Sequence, residues 1–176
     1  MDYFLRCGDT DFNKHHLVIV PDSSLYYAKM NESNTTDGGY VGSEMYKSGL
    51  DSAKATINSA FGDMVLTHRT YLVNAVSNGK PSGGAWFDEN VALMNEVMVY
   101  GTHYFEPAND GTTIPTKYSV GNSQFALMRL NPRMIKTRET YWLQNVVSSA
   151  HFAFVDSIGR ANCSNASGSY GVRPYA

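Results

Sequence analysis

The chain has little of what marks several special classes of protein. Only two of its 176 residues are cysteines, Cys7 and Cys163. Two cysteines at opposite ends exclude a disulfide framework and a zinc-knuckle spacing, and one end-to-end bridge remains possible. No apolar run approaches the roughly 18 residues of a membrane span, and the N-terminus lacks the basic and apolar regions of an export signal. We therefore expect no membrane insertion.

Charge is also scarce. Charged residues make up 17% of the chain, the formal net charge is -2, and the lysines and arginines are scattered. Because no basic stripe is present, the sequence argues against nucleic acid as a ligand. The five histidines show no helical metal-binding spacing, and we expect neither a metal nor another cofactor.

Apolar and aromatic residues, by contrast, are plentiful. Hydrophobic residues make up 43% of the chain, which is enough to bury a core in one ordinary globular domain spanning residues 1–176. Twelve residues are tyrosines. Tyrosine offers a large, rigid contact area in binding surfaces, but a tyrosine-rich β core would give the same composition. Both interpretations stay open.

Two segments have the pattern of helices. Apolar residues recur at three- and four-residue intervals over Met45–Phe61, which predicts a helix ending at Gly62. A second helix is predicted over Asn90–Tyr100, with Asp88 as its N-cap and Gly101 at its end.

Short strands are predicted by apolar, β-branched or alternating runs. These runs are His16–Val20, Leu25–Met30, Phe125–Leu130, Thr140–Val147, His151–Asp156 and Arg160–Ser164.

The remaining segments are predicted from their turn and loop residues. Met64–Val76 is predicted as a short strand followed by a helical turn, and Asn78–Gly84 as a loop. Phe105–Ser123 is rich in Pro, Asn, Gly and Thr, which predicts a long irregular insertion. Asn131–Thr137 is predicted as a short helix with Pro132 in its first turn.

Three short motifs follow one another in the last part of the chain: YWL at 141–143, FAFVDSIG at 152–159 and GVRP at 171–174. This ordered series resembles the C-terminal part of a C-type lectin-like fold, in the variant used by phage proteins and by the variable proteins of diversity-generating retroelements. TTDGGYVGSEMY at 35–46, LTHR at 66–69 and WFDENVALMNEVMVYG at 86–101 also look like such domains. The resemblance implies an α+β fold with two helices packed on a small, mainly antiparallel sheet and a C-terminal meander of short strands.

The resemblance marks residues 141–176 as the candidate variable, ligand-binding segment. After Gln144 the chain has no Lys, Glu, Gln, Met or Trp, although all five occur before it. Mutagenesis at the adenines of AAC or AAT codons gives codons that end in a pyrimidine, and none of those encodes these five residues. The composition is therefore compatible with diversification.

Alternation along the predicted strands assigns roles within this segment. Alternate side chains of a strand face opposite sides, so Phe152 and Phe154 share one face while Ala153 and Val155 share the other, which we assign to the core. We expect the candidate ligand-binding residues to be exposed on one face, with the two phenylalanines as anchors. The alternative is that the phenylalanines belong to the core. The candidate set is Phe152, Phe154, Asp156, Ile158, Arg160, Asn162, Ser164 and Asn165.

Residues 141–143 and 171–174 are expected to be scaffold. Within the second of these, Arg173 is predicted to pair with a carboxylate or with carbonyl groups and so to hold the last strand in place. His68, inside LTHRTYL, is predicted to be a buried hydrogen-bonding residue and not a catalytic base.

Two other sites are argued against. Glu106–Asp110 resembles the sugar-binding loop of calcium-dependent lectins, but Ala108 stands where an Asn is wanted and no second calcium motif follows. Cys7 and Cys163 do not fit the cysteine pair of formylglycine-generating enzymes, a branch of the same fold. The resemblance therefore implies the fold without that activity.

The resemblance implies a phage-type binding protein without catalysis, whose partner is a bacterial surface protein or glycan. Other virion proteins are further expected partners, a homotrimer is one possible assembly, and the expected location is the virion after synthesis in the bacterial cytoplasm. Two alternatives stay open: an enzyme of the formylglycine-generating type, and a structural protein that decorates the virion.

Overall fold

The structure is a computed structural model that describes residues 6–7, 10–12, 14–73, 76–77, 80–81, 84–105 and 124–176. The fold is mixed α+β, with few helices and a mainly antiparallel sheet, as the sequence predicts. The described strands are β1 (Arg6–Cys7), β2 (Thr10–Asp11), β3 (Tyr26–Lys29), β4 (His68–Val73), β5 (Val76–Ser77), β6 (Lys80–Pro81), β7 (Gly84–Glu89), β8 (Ala92–Leu93), β9 (Tyr141–Val146), β10 (His151–Val155), β11 (Ala161–Asn165), β12 (Ser169–Val172) and β13 (Pro174–Tyr175). The described helices are α1 (Gly39–Gly42), a π-helix (Met45–Gly49), α2 (Asp51–Phe61), α3 (Glu96–Tyr100), α4 (Ala126–Leu130) and two 3-10 turns (Gly62–Met64 and Pro132–Met134).

A five-stranded sheet forms the centre of the fold. Its strand order is β11, β10, β9, β12, β3, and every neighbouring pair is antiparallel except β9 with β12. Phe154 of β10 lies opposite Trp142 of β9 and Asn162 of β11. The predicted C-terminal strands are therefore adjacent in space, with β11 at one edge of the sheet.

Both faces of this sheet are covered by apolar side chains. Alternation along β9 and β10 sends Trp142, Phe152 and Phe154 to one face, where they pack with Tyr40 and Met45. The opposite face carries a second cluster, composed of Ala92, Met94, Met98, Val99, Phe125, Met128, Tyr141, Leu143, Ala153, Val155 and Tyr175. The sheet is thus an inner layer, in which every residue of the central strand β9 and every residue of β10 except His151 is buried.

The first predicted helix is confirmed with one irregularity. The periodic segment begins with the π-helix, continues as α2 and ends at Gly62, as the pattern predicts. Met45, Leu50 and Ala53 lie on the buried side.

None of the described helices is long and apolar enough to cross a membrane.

The prediction of the second helix is right at its C-terminal end and wrong at its N-terminal end. Asp88 does not cap it, because Asp88 lies in β7 and pairs with Arg69 of β4. Asn95 is the N-cap, and its side chain accepts a hydrogen bond from the N–H of Met98 at 2.7 Å. The helix α3 ends at Gly101, as predicted, in a left-handed conformation at φ 75°.

Some strand predictions are also corrected. Phe125–Leu130 forms α4 and not a strand. His16–Val20 forms no regular strand, although Ile19 exchanges two backbone hydrogen bonds, of 2.8 and 3.1 Å, with Ala176. Tyr71 and Leu72 continue β4, where a helical turn was predicted.

Candidate functional site

The turn between β10 and β11 is held by one carboxylate. Asp156 accepts hydrogen bonds at Oδ1 from the N–H groups of Ile158 (3.0 Å) and Arg160 (2.9 Å), and at Oδ2 from the Arg160 Nε (2.8 Å). Burial acts to raise the pKa of Asp156, but the hydrogen bonds from Arg160 and Ile158 outweigh it and lower the pKa below its usual value. The turn is therefore fixed by an ionised side chain.

Gly159 completes this turn. Its φ is 87°, which favours glycine, and an added Cβ would lie 3.3 Å from the Cβ of Lys136. Residues 157–159 thus form the turn between the two predicted strands, His151–Asp156 and Arg160–Ser164.

The expectation that Phe152, Phe154 and Asp156 are exposed is wrong. Phe152 is 0% exposed and Phe154 is 7% exposed, and the Asp156 carboxylate is occupied by the turn. The ring of Tyr170 stacks on Phe154 at a centroid distance of 4.8 Å. The two phenylalanines are core because a second layer covers the face that they share.

The rest of the candidate set is accessible to different degrees. Ile158 is 53% exposed and the side chain of Arg160 is 73% exposed. Asn162 and Asn165 are exposed, whereas Ser164 is half-buried beside Tyr170. These residues do not share one face. Asn162 and Ser164 lie opposite Phe154 and Phe152, and Asn165, an odd number of residues away, faces the other side.

The outer edge of β11 is partly closed by its own side chain. The Oδ1 atom of Asn162 accepts the backbone N–H of Cys163 at 2.8 Å. In an antiparallel pair, every second residue hydrogen-bonds to the neighbouring strand, and in β11 these residues are Asn162 and Ser164. The N–H of Cys163, which lies between them, therefore points away from the sheet. This N–H, which on an edge strand is usually free to pair with another strand, is therefore already hydrogen-bonded.

An open groove of about 690 Å³ lies beside the turn, and we call it the hairpin groove. It is lined by Tyr100, Tyr104, Phe105, Pro132, Arg133, Ile135, Lys136, Ile158, Gly159, Arg160 and Ala161. Two predicted residues, Ile158 and Arg160, contribute to it. The aromatic and basic residues from α3 and the 3-10 turn were missed, because no local pattern shows that these segments meet the C-terminal hairpin.

Tyr100, Tyr104 and Phe105 form the aromatic wall of the hairpin groove, and hydrogen bonds hold this wall in place. The carboxylate of Glu96, which is 0% exposed, accepts the N–H groups of Tyr104 (3.0 Å) and Phe105 (3.1 Å). The hydroxyl of Tyr100 donates to the carbonyl of Gly159 at 3.2 Å. Burial raises the pKa of Tyr100, so this hydroxyl stays protonated at neutral pH. The hydrogen bond from Tyr100 to Gly159 therefore joins the aromatic wall to the turn between β10 and β11.

Both cysteines are free thiols, so the possible end-to-end disulfide is not formed. Burial raises the pKa of Cys7, with a further contribution from Asp88. Burial also raises the pKa of Cys163, with a contribution from Glu96. Neither environment favours the reactive thiolate.

His68 is buried and hydrogen-bonded, as predicted. Its Nε2 lies 2.7 Å from the hydroxyl of Tyr175 and 3.9 Å from Oε1 of Glu89. Burial lowers the pKa of His68 to about 4. Burial raises the pKa of Glu89 to about 8, and Thr70 and Lys54 offset only part of this effect. Both side chains are therefore neutral near pH 7.

A second cavity, of about 590 Å³, lies next to His68 and Tyr175 and has a largely apolar lining that includes Leu17 and Met64. In the part of the chain that the structure describes, no three His, Cys, Asp or Glu side chains are grouped so that they could hold a metal ion. The Glu106–Asp110 loop and nearly all of the predicted insertion lie outside the described residues.

Comparisons with known proteins return no relatives. No family model matches the chain, and no curated protein or solved structure is significantly similar to it.

Proposed function

We propose that this chain is a ligand-binding protein of phage type with a C-type lectin-like fold. It recognises a bacterial surface receptor through the hairpin groove and the exposed side chains of β11, and it performs no catalysis. In this proposal residues 141–176 form the variable segment, and the protein is carried on the virion beside other virion proteins.

One observation carries the proposal: chemically varied side chains are exposed on a rigid support. Ile158, Arg160 and Asn162 offer an aliphatic group, a cation and an amide to solvent. They stand on a turn fixed by Asp156 and on a strand that pairs with β10, whose residues after His151 are all buried. A preorganised surface of this kind loses little conformational entropy on binding.

The scaffold residues are consistent with the proposed fold. Trp142, Val172 and Arg173 are all 0% exposed. Arg173 donates to the carbonyl oxygens of Pro21 and Met134, each at 2.8 Å. The YWL and GVRP motifs are therefore buried framework, while the chain between them supplies the surface.

The environments of the thiols favour binding over the enzymatic alternative. Cys7 lies in β1 and Cys163 in β11, which belong to different sheets. Burial raises the pKa of each thiol, whereas a nucleophilic cysteine needs a lowered pKa.

Binding of the labelled protein to a panel of bacterial strains, measured by flow cytometry, tests the proposal. We expect saturable binding to at least one strain. Ile158→Ala should weaken it by roughly fivefold or more, because an exposed anchor contributes on the order of 1 kcal/mol or more.

The matched control is Leu17→Ala, which removes an exposed aliphatic side chain outside the hairpin groove. It should leave binding unchanged. Equal affinity of the two variants would show that binding does not use Ile158, and virions that attach normally when they carry Ile158→Ala would favour the decoration role instead.

A further inference from the structure

We propose that the hairpin groove binds an acidic oligosaccharide, a glycan whose sugar rings carry carboxylates. This inference rests on the proposed function and narrows the receptor from any surface molecule to an anionic glycan.

Positive charge is concentrated at the hairpin groove. Arg133, Lys136 and Arg160 line it, and all three are exposed, whereas none of the lining residues that the structure describes is a carboxylate. Within the described ranges, no acidic side chain forms an ion pair with Arg133 or Lys136. The chain as a whole has a net charge of -2, so this cationic site is local and would select an anionic ligand.

Arg160 keeps part of its hydrogen-bonding capacity. Asp156 engages the guanidinium through Nε at 2.8 Å. Both terminal nitrogens remain available, with respect to the described residues, to donate to a ligand. Two parallel donors match the two oxygens of a carboxylate.

Aromatic side chains provide flat surfaces in the same groove as these cations. Tyr104 is 61% exposed, and its ring meets that of Tyr100 edge to face at a centroid distance of 5.2 Å. Tyrosine combines an apolar face with a polar end, which suits a ring that has an apolar face and hydroxyl groups at its rim. An open groove that combines an exposed tyrosine ring with three cations therefore fits a chain of charged sugar rings.

The edge strand argues against an acidic peptide as the occupant. An extended peptide usually binds by adding a strand to an open sheet edge. The nearest edge is β11, where Asn162 already accepts the outward N–H of Cys163. A glycan needs side-chain donors and ring faces, and the hairpin groove offers these.

Isothermal titration calorimetry with tetragalacturonate tests the inference, with neutral maltotetraose as the matched sugar. We expect binding of tetragalacturonate alone, and weaker binding as sodium chloride rises from about 0.05 to 0.5 M, because salt screens exposed charges. Lys136→Gln and Tyr104→Ala should each weaken it about fivefold. Lys47→Gln removes the same charge outside the hairpin groove and should have no effect.

Several results would overturn the inference. These are no binding of tetragalacturonate up to about 10 mM, equal affinity for maltotetraose, or equal effects of Lys136→Gln and Lys47→Gln. Tighter binding of a hexaglutamate peptide would assign the hairpin groove to an acidic protein segment. Both lysines are exposed, and thermal melting verifies that each variant is folded.

Cell binding separates this inference from the proposed function. If labelled protein binds bacteria and excess tetragalacturonate does not compete, the receptor proposal stands and the glycan inference fails. If tetragalacturonate binds but no strain is recognised, the glycan inference stands and the receptor proposal fails.

Discussion

Gly171 occupies a position in the sheet where a side chain has no space. Strand β12 lies between β9 and β3. A Cβ built on Gly171 would lie 2.6 Å from the Cβ of Ser24 and 2.9 Å from the carbonyl oxygen of Thr140. The reason for glycine here is close approach and not backbone conformation.

Gly171→Ala should therefore lower the free energy of unfolding by about 3 kcal/mol, because one added methyl group overpacks the site. Urea denaturation measures this. Adding Ser24→Gly removes the Cβ and hydroxyl that cause part of the clash, so the double variant should regain part of the lost stability. Wild-type stability in Gly171→Ala alone would show that the strands can move apart.

Arg173 shows what the sequence reveals about a single residue. Its structural role was predicted from the GVRP motif and is confirmed, with carbonyl oxygens of Pro21 and Met134 as its partners. Its guanidinium also lies 5.0 Å from the ring centroid of Tyr141. The partners could not be predicted, because Pro21 is 152 residues away in the chain and only the fold brings it near.

At the scale of elements, the hairpin of β10 and β11 depends on Asp156. Asp156→Ala removes three hydrogen bonds to the turn. We expect a loss of about 2 kcal/mol in unfolding free energy and weaker ligand binding, because Ile158 and Arg160 lose their fixed positions.

Ser157→Ala is the control within the same turn, since Ser157 is exposed, and it should have little effect. Urea denaturation and the cell-binding assay report the two consequences separately. A variant of Asp156 with normal stability and normal binding would mean that the turn is fixed by the strands alone.

Alternation predicted which side chains of β10 share a face, but not which face is covered. Ala153 and Val155 are buried, as predicted. Phe152 and Phe154 are buried too, because Tyr170 and other residues from distant segments pack over them. A period of two residues describes one strand, whereas burial depends on the layers on either side.

The boundaries of α3 illustrate the same limit. Asp88 and Asn95 are both good N-cap residues, and only the pairing of β7 with β4 shows that Asp88 is in a strand. For α4, the apolar run is too short for its period to distinguish helix from strand.

At the scale of the whole molecule, two buried groups with shifted pKa values make stability depend on pH. The pKa of His68 falls from 6.5 to about 4, so its contribution to stability increases as pH rises from 4 to 6.5. The pKa of Glu89 rises from 4.5 to about 8, so its contribution decreases as pH rises from 4.5 to 8. The two effects nearly cancel below pH 6.5, and only that of Glu89 remains above it.

We therefore expect the free energy of unfolding to fall by about 2 kcal/mol between pH 6.5 and 8. Urea denaturation at a series of pH values measures this slope. Glu89→Gln cannot ionise and should flatten it, while Asp37→Asn, an exposed carboxylate, should not. A slope that is unchanged in Glu89→Gln would assign the effect to another group.

The class of the fold could be predicted, but the arrangement of the site could not. The α+β class and the closing strands followed from hydrophobic period and from the resemblance. The hairpin groove combines Tyr104, Lys136 and Arg160, which come from three separate segments. No spacing along the chain records their proximity.

The difference in burial between β10 and β11 has a consequence for mutational tolerance. The folding energy of the hairpin resides in the buried strand, whereas β11 shows mainly polar or small side chains of partial or full exposure. Substitutions at exposed surface positions usually change stability by less than about 0.5 kcal/mol. The two exposed positions of β11, Asn162 and Asn165, can therefore accept many side chains while the domain still folds, so the surface that they form can change almost independently of stability.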